Sequence, residues 1–326
     1  YTEPIAKKLF LELNYAVRLT TNDAEKLTYN KSNNGKYENL SDTFSNHYKF
    51  NVLTNSVGSF FKYNGKKINV TAGTDIGFTD FKQTDVFTSI LTKRDFTNFF
   101  PRANLNIKFD QSTRFNFNYN GSTQQPTINQ IQPVQDNSNP LNITIGNPNL
   151  NQAFNHRFSM NMNSFKVLKE RGFWVYSNFS FVQDAIVTNT TIDNTTGKTT
   201  NQYINASGNY NYYGGGTYFM KLKKLGANVD FGVGINGSKY SSFLNNIRNT
   251  TLNTAPSIRL GLGKNKEKKF NLWYNAEIAY NFSKTIVGQT TTINYLTQSH
   301  NLNFTVQLPW KMEVNTEMEI NLRQKT

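Results

Sequence analysis

The chain has 326 residues, of which 37% are hydrophobic and 14% aromatic, and its mean hydropathy is −0.59. No run of about 18 apolar residues occurs, which excludes a transmembrane helix, and the absence of cysteine excludes disulfides and thiolate metal sites. The formal net charge is +14. Much of the basic charge lies in compact turns without any nucleic-acid-binding motif, so nucleic acid is not an expected partner.

Segments in which apolar and polar residues alternate recur along nearly the whole chain. Between Phe270 and Phe282, for example, every second residue is apolar and most of the residues between them are polar. A period of two gives a β-strand one apolar and one polar face. The predicted strands are, in chain order, 7–20, 44–63, 67–83, 96–109, 113–120, 154–167, 172–187, 202–221, 226–240, 252–263, 270–283, 296–308 and 311–322.

The connections between these strands alternate in predicted length. Compact turns are expected near 64–65, 110–111, 168–171, 222–225, 264–269 and 309–310, and long polar stretches at 22–43, 84–95, 121–149, 188–201, 241–250 and 284–295. Short periplasmic turns and long extracellular loops are typical of outer-membrane barrels. Many segments also reach the length of about ten residues that a tilted membrane strand requires. The prediction is an all-β, antiparallel up-and-down transmembrane β-barrel in the bacterial outer membrane, in contact with lipid.

One domain, residues 1–326, accounts for the whole pattern. Barrels of a single bacterial chain have even strand numbers, whereas thirteen strands are predicted here and the last of them does not close on an aromatic residue. We therefore expect an incomplete segment of a larger barrel, with a plug domain and the closing strands outside this sequence.

The stretch 121–149 is the longest interruption and contains Pro126, Pro133, Pro140 and Pro148. Its composition predicts a polar, partly extended loop that does not join a sheet. Long loops on a rigid scaffold often carry recognition, and the expected substrate-contacting residues are Gln124, Gln125, Asn129, Gln130, Gln135 and Asp136. A solvated loop without a ligand is an equally good interpretation.

Residues 99 to 160 carry a more specific likeness. The matching runs are Phe99-Phe100-Pro101-Arg102-Ala103-Asn104-Leu105, Gln125-Pro126, Ile131-Gln132-Pro133, Ile145-Gly146-Asn147-Pro148-Asn149-Leu150 and Phe158-Ser159-Met160. They resemble the barrel of TonB-dependent outer-membrane receptors, in particular the Bacteroidetes outer-membrane β-barrel family related to SusC-like importers. Two positions depart from that family's pattern: Gln152-Ala153 replaces a common Pro-Glu, and Gln125 replaces a frequent Arg.

The resemblance implies a barrel of about 22 strands with a plugged lumen. It also implies uptake of a bulky nutrient (a glycan, peptide or metal chelate) and contact with TonB through a segment upstream of Tyr1. The sequence leaves a surface lipoprotein partner open. It leaves two other functions open as well: an outer-membrane barrel with a structural, assembly or adhesion role, and a soluble all-β binding module.

No catalytic, cofactor or metal site is expected. Gly232 to Gly237 matches the dinucleotide fingerprint, but no helical pattern follows it, so these residues are predicted to be strand glycines whose inward face leaves room for neighbouring groups. Gly214 to Gly216 predicts a bulge or bend. His47, His156 and His300 have no neighbouring ligands at metal-binding spacing, and no nucleophile motif occurs. The protein is therefore not expected to be an enzyme.

Overall fold

A computed structural model describes residues 1–41, 45–131, 135–136, 139 and 141–325. Its strands, numbered in chain order, are β1 (Thr2–Ala6), β2 (Leu9–Lys26), β3 (Tyr29–Lys31), β4 (Tyr37–Leu40), β5 (Asn46–Asn64), β6 (Ile68–Asp85), β7 (Ile90–Lys108), β8 (Thr113–Gln124), β9 (Gln135–Asp136), β10 (Asn142–Ile145), β11 (Ala153–Lys166), β12 (Arg171–Gln183), β13 (Ala185–Ile192), β14 (Thr199–Ala206), β15 (Asn209–Leu222), β16 (Ala227–Leu244), β17 (Ile247–Lys266), β18 (Phe270–Val287), β19 (Gln289–Gln307) and β20 (Glu313–Lys325). One short helix, α1 (Ile128–Ile131), and two 3-10 turns, Val167–Lys169 and Pro309–Lys311, complete the elements. Within these residues no helix has both the length and the apolarity needed to span a bilayer.

The main sheet is an antiparallel meander. Its wall follows the order β1, β2, β5, β6, β7, β8, β11, β12, β15, β16, β17, β18, β19 and β20. Each of the thirteen predicted segments overlaps one of these strands, and β1 is an additional short strand. The sheet is open, since β1 and β20 do not pair with each other in the described part of the chain. The all-β antiparallel fold is therefore confirmed, whereas a closed barrel is not seen.

The outer face of the sheet is apolar and exposed. Register places Ile258 beside Val233 on one side and beside Ile278 on the other, so apolar side chains form continuous rows across neighbouring strands. Ile278 is 50% exposed and Val17 is 57% exposed. The stripe between Phe270 and Phe282 therefore does not pack against helices or a second sheet. Such a surface suits hydrocarbon rather than water.

The inner face is polar and concave. Arg259, Glu277 and Ser299 are register neighbours on three successive strands, and their side chains share this face. One cavity is lined by both Phe165 of β11 and Ser299 of β19. These strands are six intervals apart, which is about 29 Å in a flat sheet. A single cavity reaches both because the sheet is curved around it.

Four of the six connections predicted to be long are short. They occupy only 86–89, 193–198, 245–246 and residue 288, because the polar residues on either side continue the ladders. Asn245 and Asn246 make a two-residue turn with φ of 50° and 64°, and asparagine accepts that left-handed conformation. Only the connections 27–45 and 125–152 are long. Both lie at the same end of the sheet, which is the extracellular end by the usual barrel rule.

One hairpin twists out of the wall. The course of β12 into β13 is interrupted at Asp184 (φ 52°), and that of β14 into β15 at Gly208 (φ 99°). Beyond these points the two strands of the hairpin exchange sides. β13, which continues β12, pairs with the tip of β16, and β14, which leads into β15, pairs with β10. The Ser207 hydroxyl donates to Asp184 Oδ1 over 3.0 Å and Asn205 Nδ2 donates to the Asp184 carbonyl over 2.8 Å, which fixes the crossing.

The glycine-rich runs lie inside regular strands. Gly232 and Gly234 face inward on β16, next to Arg259 and Ser257 respectively, as predicted. Of the two alternatives predicted at Gly214 to Gly216, the bulge is wrong, because these residues pair without a register shift on both sides, and the bend stays a prediction. A β-carbon at Gly215 would lie 2.6 Å from the Val233 carbonyl oxygen. Glycine is needed there for close approach of the backbones.

Candidate functional site

The long connection 125–152, which we call the cap, lies against the inner face near its extracellular end. Ile131 and Leu150 of the cap are 6% and 5% exposed. They pack with inward-facing aromatic residues of the wall and with two residues of the twisted hairpin. These wall and hairpin residues are Tyr48, Phe50, Phe81, Phe96, Ile186 and Tyr203. The cap therefore bridges β5–β7 and β13–β14 across the concave face.

Hydrogen bonds hold the cap at both sides of this bridge. Arg94 Nη2 donates to the Pro148 carbonyl over 2.6 Å, and Asn147 Nδ2 donates to the Tyr203 carbonyl over 2.8 Å. The Asn151 amide donates to Asn205 Oδ1 over 2.8 Å. The Pro148 carbonyl and the Asn151 amide, both in irregular structure, are thus satisfied by side chains, which is how a non-helical segment can be packed without unpaired polar groups.

The two ends of the cap converge on one residue. Gln152 Nε2 donates to Asn98 Oδ1 over 3.1 Å, and Gln125 Nε2 approaches the same oxygen at 3.5 Å. Asn98 is buried, and its own amide donates to Thr79 Oγ1 over 2.8 Å. Gln125 and Gln152 are also the two positions that depart from the pattern of the resembled family. The two glutamines that replace the family's residues therefore both approach the same oxygen of Asn98.

The predicted substrate-contacting residues are distributed along the cap and do not form one cluster. Gln124 ends β8 and accepts a hydrogen bond from Asn155, Gln125 is directed to Asn98, and Asn129 is exposed to solvent. Gln130 is half-buried, and its Oε1 accepts from the Thr127 amide within the turn of α1. Gln135 and Asp136 form β9, but their side chains lie outside the described residues. A role in substrate binding remains a prediction for all six.

The prediction that this loop cannot join a sheet is wrong. Asn142–Ile145 pairs in parallel with β14 and antiparallel with β9. This run contains no proline, so its amide groups are available to a ladder. Pro126 and Pro148 lie outside both strands, while Pro133 and Pro140 lie outside the described residues.

A cavity of about 750 Å³ opens on the inner face towards the short-turn end. Trp273 and Phe219 lie flat on the wall because glycines stand opposite them: β-carbons at Gly263 and Gly172 would be 2.0 and 2.7 Å from the two rings. Between the rings, Arg259 Nη2 lies 3.6 Å from Asp230 Oδ1. The cavity thus offers aromatic faces beside charged groups and the amides of Asn228, Asn275 and Asn301.

The described residues of the cap and the cavity bring no metal-binding group together. No group of three or more His, Asp or Glu side chains able to hold a metal occurs in the residues that the structure describes. His156 and His300 lie on the outer face, each hydrogen-bonded to a tyrosine hydroxyl. The amides, aromatic faces and charged groups of the described residues can bind and orient a polar solute.

Sequence reasoning missed Arg94, Asn98, Leu150 and Tyr203, which hold the cap. A signal was present in β5, where the alternation changes phase. Leu53, Val57 and Phe61, at odd-numbered positions, are apolar and face outward, whereas Tyr48, Phe50 and Val52 are apolar and face inward. Inward apolar residues near the end of a strand indicate a segment packed inside the concave face.

An exposed apolar face and a polar concave face on one long-stranded antiparallel sheet define an outer-membrane β-barrel protein. The chain belongs to the outer membrane protein beta-barrel family, whose model matches residues 1–321. The predicted location in the outer membrane is thereby confirmed. No curated protein matches the chain.

Proposed function

We propose that this protein is the barrel portion of a TonB-dependent-type receptor that imports a bulky nutrient such as a glycan, a peptide or a metal chelate. The observation that carries the proposal is the cap, which bridges β5–β7 and β13–β14 over a polar concave wall. The likeness of residues 99–160 to such receptors supports it as well, since the cap lies within this stretch.

The cap is suited to displacement. Its described attachments are a small apolar cluster, a few side-chain hydrogen bonds and the four-residue ladder between β10 and β14, and residues 1–326 contain no cysteine that could form a disulfide. A solute that binds the exposed side of the cap and shifts it would reach a wall of amide and hydroxyl groups. Those groups can replace the solute's hydration.

The inner face also offers polar groups towards its short-turn end. Asn275, Asn301 and Ser299 lie on the inner face and line the cavity that contains Trp273. Flat aromatic faces and amides together suit large polar solutes that also have apolar surface. In the proposed mechanism, contact with TonB through a segment upstream of Tyr1 supplies the energy for release.

A reversible cross-link tests the role of the cap. Thr144 of β10 and Asn201 of β14 are register partners in a parallel ladder, so their Cα atoms are about 5 Å apart, within the range for a disulfide. The full-length T144C/N201C variant should lose nutrient uptake when oxidised and regain it on reduction. Residues 1–326 contain no native cysteine, so the same treatments of the wild-type protein serve as the control and should leave its uptake unchanged.

Uptake should be measured with labelled glycans, peptides and metal chelates in the native host and in a strain lacking the gene. The proposal expects at least one class to depend on the gene and to be blocked by a protonophore. If uptake of all three classes survives loss of the gene while cell adhesion or envelope assembly fails, the alternative of a non-transporting barrel is correct.

A further inference from the structure

The net charge of the chain is located at one end of the sheet. The seven short turns 7–8, 65–67, 109–112, 167–170, 223–226, 267–269 and 308–312, with three residues on each side, form what we call the short-turn rim. The rim contains eighteen of the 35 basic residues and four of the 21 acidic residues. The rest of the chain has 17 of each. The whole charge of +14 therefore belongs to the rim.

Most of this charge is not paired within the protein. Among the basic residues of the rim, Lys62 pairs with Glu12 and Lys221 with Glu170, and no other forms an ion pair in the described part of the chain. At the opposite end of the outer face, cations stand next to acids, as in Lys49–Asp23 and Lys82–Asp80. Only the rim presents a surplus of free positive charge.

Large apolar side chains accompany these lysines. Leu168 is 92% exposed, Trp310 is 87% exposed and Leu225 is 63% exposed, and a lysine is adjacent to each in sequence. Lys264 and Lys266 share the outer face with Leu262, just beyond the apolar rows. Lysine stems beside aromatic and aliphatic residues are typical of a membrane interface, where the ammonium reaches the headgroups.

We propose that the short-turn rim binds the phosphate headgroups of anionic glycerophospholipids in the periplasmic leaflet. The rim extends over fourteen wall strands, about 60 Å along the sheet. A membrane surface meets every one of these turns at once, whereas an acidic protein would cover only some of them. The apolar residues fit the same occupant, because they enter the acyl region beside each bound phosphate. This inference does not depend on transport.

The test compares lipid retention by the full-length protein. It is reconstituted in phosphatidylcholine vesicles containing about 30 mol% phosphatidylglycerol, which gives a negative surface potential. After detergent extraction, native mass spectrometry counts the lipids that remain bound. We expect the ratio of phosphatidylglycerol to phosphatidylcholine among the bound lipids to be about fivefold higher than in the vesicle. The enrichment should disappear at about 0.5 M salt, which screens charges beyond a few ångströms.

Two matched variants with six Lys→Gln changes locate the effect. The rim variant carries K223Q, K224Q, K264Q, K266Q, K268Q and K269Q, and the control variant carries K31Q, K36Q, K49Q, K82Q, K93Q and K198Q. The control should keep the enrichment, and the rim variant should lose most of it. Equal retention by the two variants, or a wild type that shows no preference for phosphatidylglycerol, would overturn the proposal. A wild type without the preference overturns the proposal even if the rim variant does not fold.

Discussion

The indole ring of Trp273 lies directly over Gly263 on the neighbouring strand, in space that a β-carbon would need. An ideal β-carbon at Gly263 would be 2.0 Å from Trp273 Cε3. The same arrangement recurs with Phe219 over Gly172 and with Phe60 over Gly73. Each glycine lets a large ring lie along the wall, so the concave face keeps its width although aromatic residues are present.

Substitution of Gly263 should therefore displace the indole. We expect Gly263→Ala to lower the free energy of unfolding by about 1–3 kcal/mol, as for other overpacked sites, and to red-shift the tryptophan fluorescence. Urea unfolding in micelles measures the first effect. Gly77→Ala is the matched control, because its β-carbon would meet Thr54 Cγ2 at an ordinary 3.4 Å. Equal stability of the two variants would show that Trp273 adapts without cost.

Arg102 makes a combined contact that lysine cannot reproduce. Its Cζ lies 4.4 Å from the centre of the buried Phe60 ring, and its Nη2 lies 2.6 Å from Asp75 Oδ2. Arg102→Lys keeps the charge but loses the planar stacking, so we expect a loss of about 0.5–1 kcal/mol. The loss should vanish in a Phe60→Leu background, which a double-mutant cycle measures. Arg157→Lys should be neutral, since Arg157 is exposed and has no ion pair among the described residues.

The wall could be predicted from sequence because one physical rule governs each of its positions. Leu13 and Tyr15 must meet lipid, and Asn14 between them must face the concave side. No such rule fixes the cap. Its position depends on Arg94 and Asn147 finding carbonyls 54 and 56 residues away. Contacts between residues so far apart in the chain leave no periodic pattern in the sequence. The short turns at Asn245 and Gly288 were not predicted, because polar strand ends have the composition of loops.

The two outward-facing histidines each contact a tyrosine hydroxyl in the same way. Removing that hydroxyl should lower the stability of the fold. Tyr119 Oη lies 3.0 Å from His156 Nδ1, and Tyr274 Oη lies 2.8 Å from His300 Nδ1. Tyr119→Phe and Tyr274→Phe each leave an imidazole nitrogen without that partner on the apolar face. We expect losses of about 0.5–1.7 kcal/mol, the range for single polar contacts in membranes. Tyr218→Phe, on the same face and without a described hydrogen bond, should change stability less; an equal loss would count against the pairs.

Asp110 sits in a short turn outside the membrane-spanning strands, where its carboxylate accepts hydrogen bonds. The Ser112 hydroxyl, 2.8 Å from Oδ1, and then the Ser112 amide lower the pKa of Asp110. A lowered pKa in the fold stabilises it above the unfolded value of about 3.9, and this stability is lost as the pH falls through the folded pKa.

Ser112→Ala should therefore raise the pKa of Asp110 towards about 3.9. Carboxyl carbon shifts in an NMR titration measure the change. Asp193 is the internal control, because hydrogen bonds from Thr196 and Thr195 lower its pKa in a different turn. A pKa of Asp110 that stays low in the Ser112→Ala protein would assign the effect to other groups.

The cap should open before the wall unfolds. Ile131 and Leu150 are the buried apolar residues of the cap that pack in the cluster with the wall, and I131A/L150A removes roughly 2–5 kcal/mol of packing at each site. Because the cap is joined to the wall at few points, we expect the loss to appear as local opening rather than global unfolding.

Hydrogen exchange at the amides of Asn147 and Leu150, which donate to Gln130 and Asn147, should accelerate at least tenfold, as about 1.4 kcal/mol of lost protection already gives. Truncation to alanine in V167A/L168A, where both side chains are exposed, should leave the cap amides protected. If I131A/L150A instead accelerates exchange equally in β16 and β17, the cap is part of the cooperative core and is not a displaceable element.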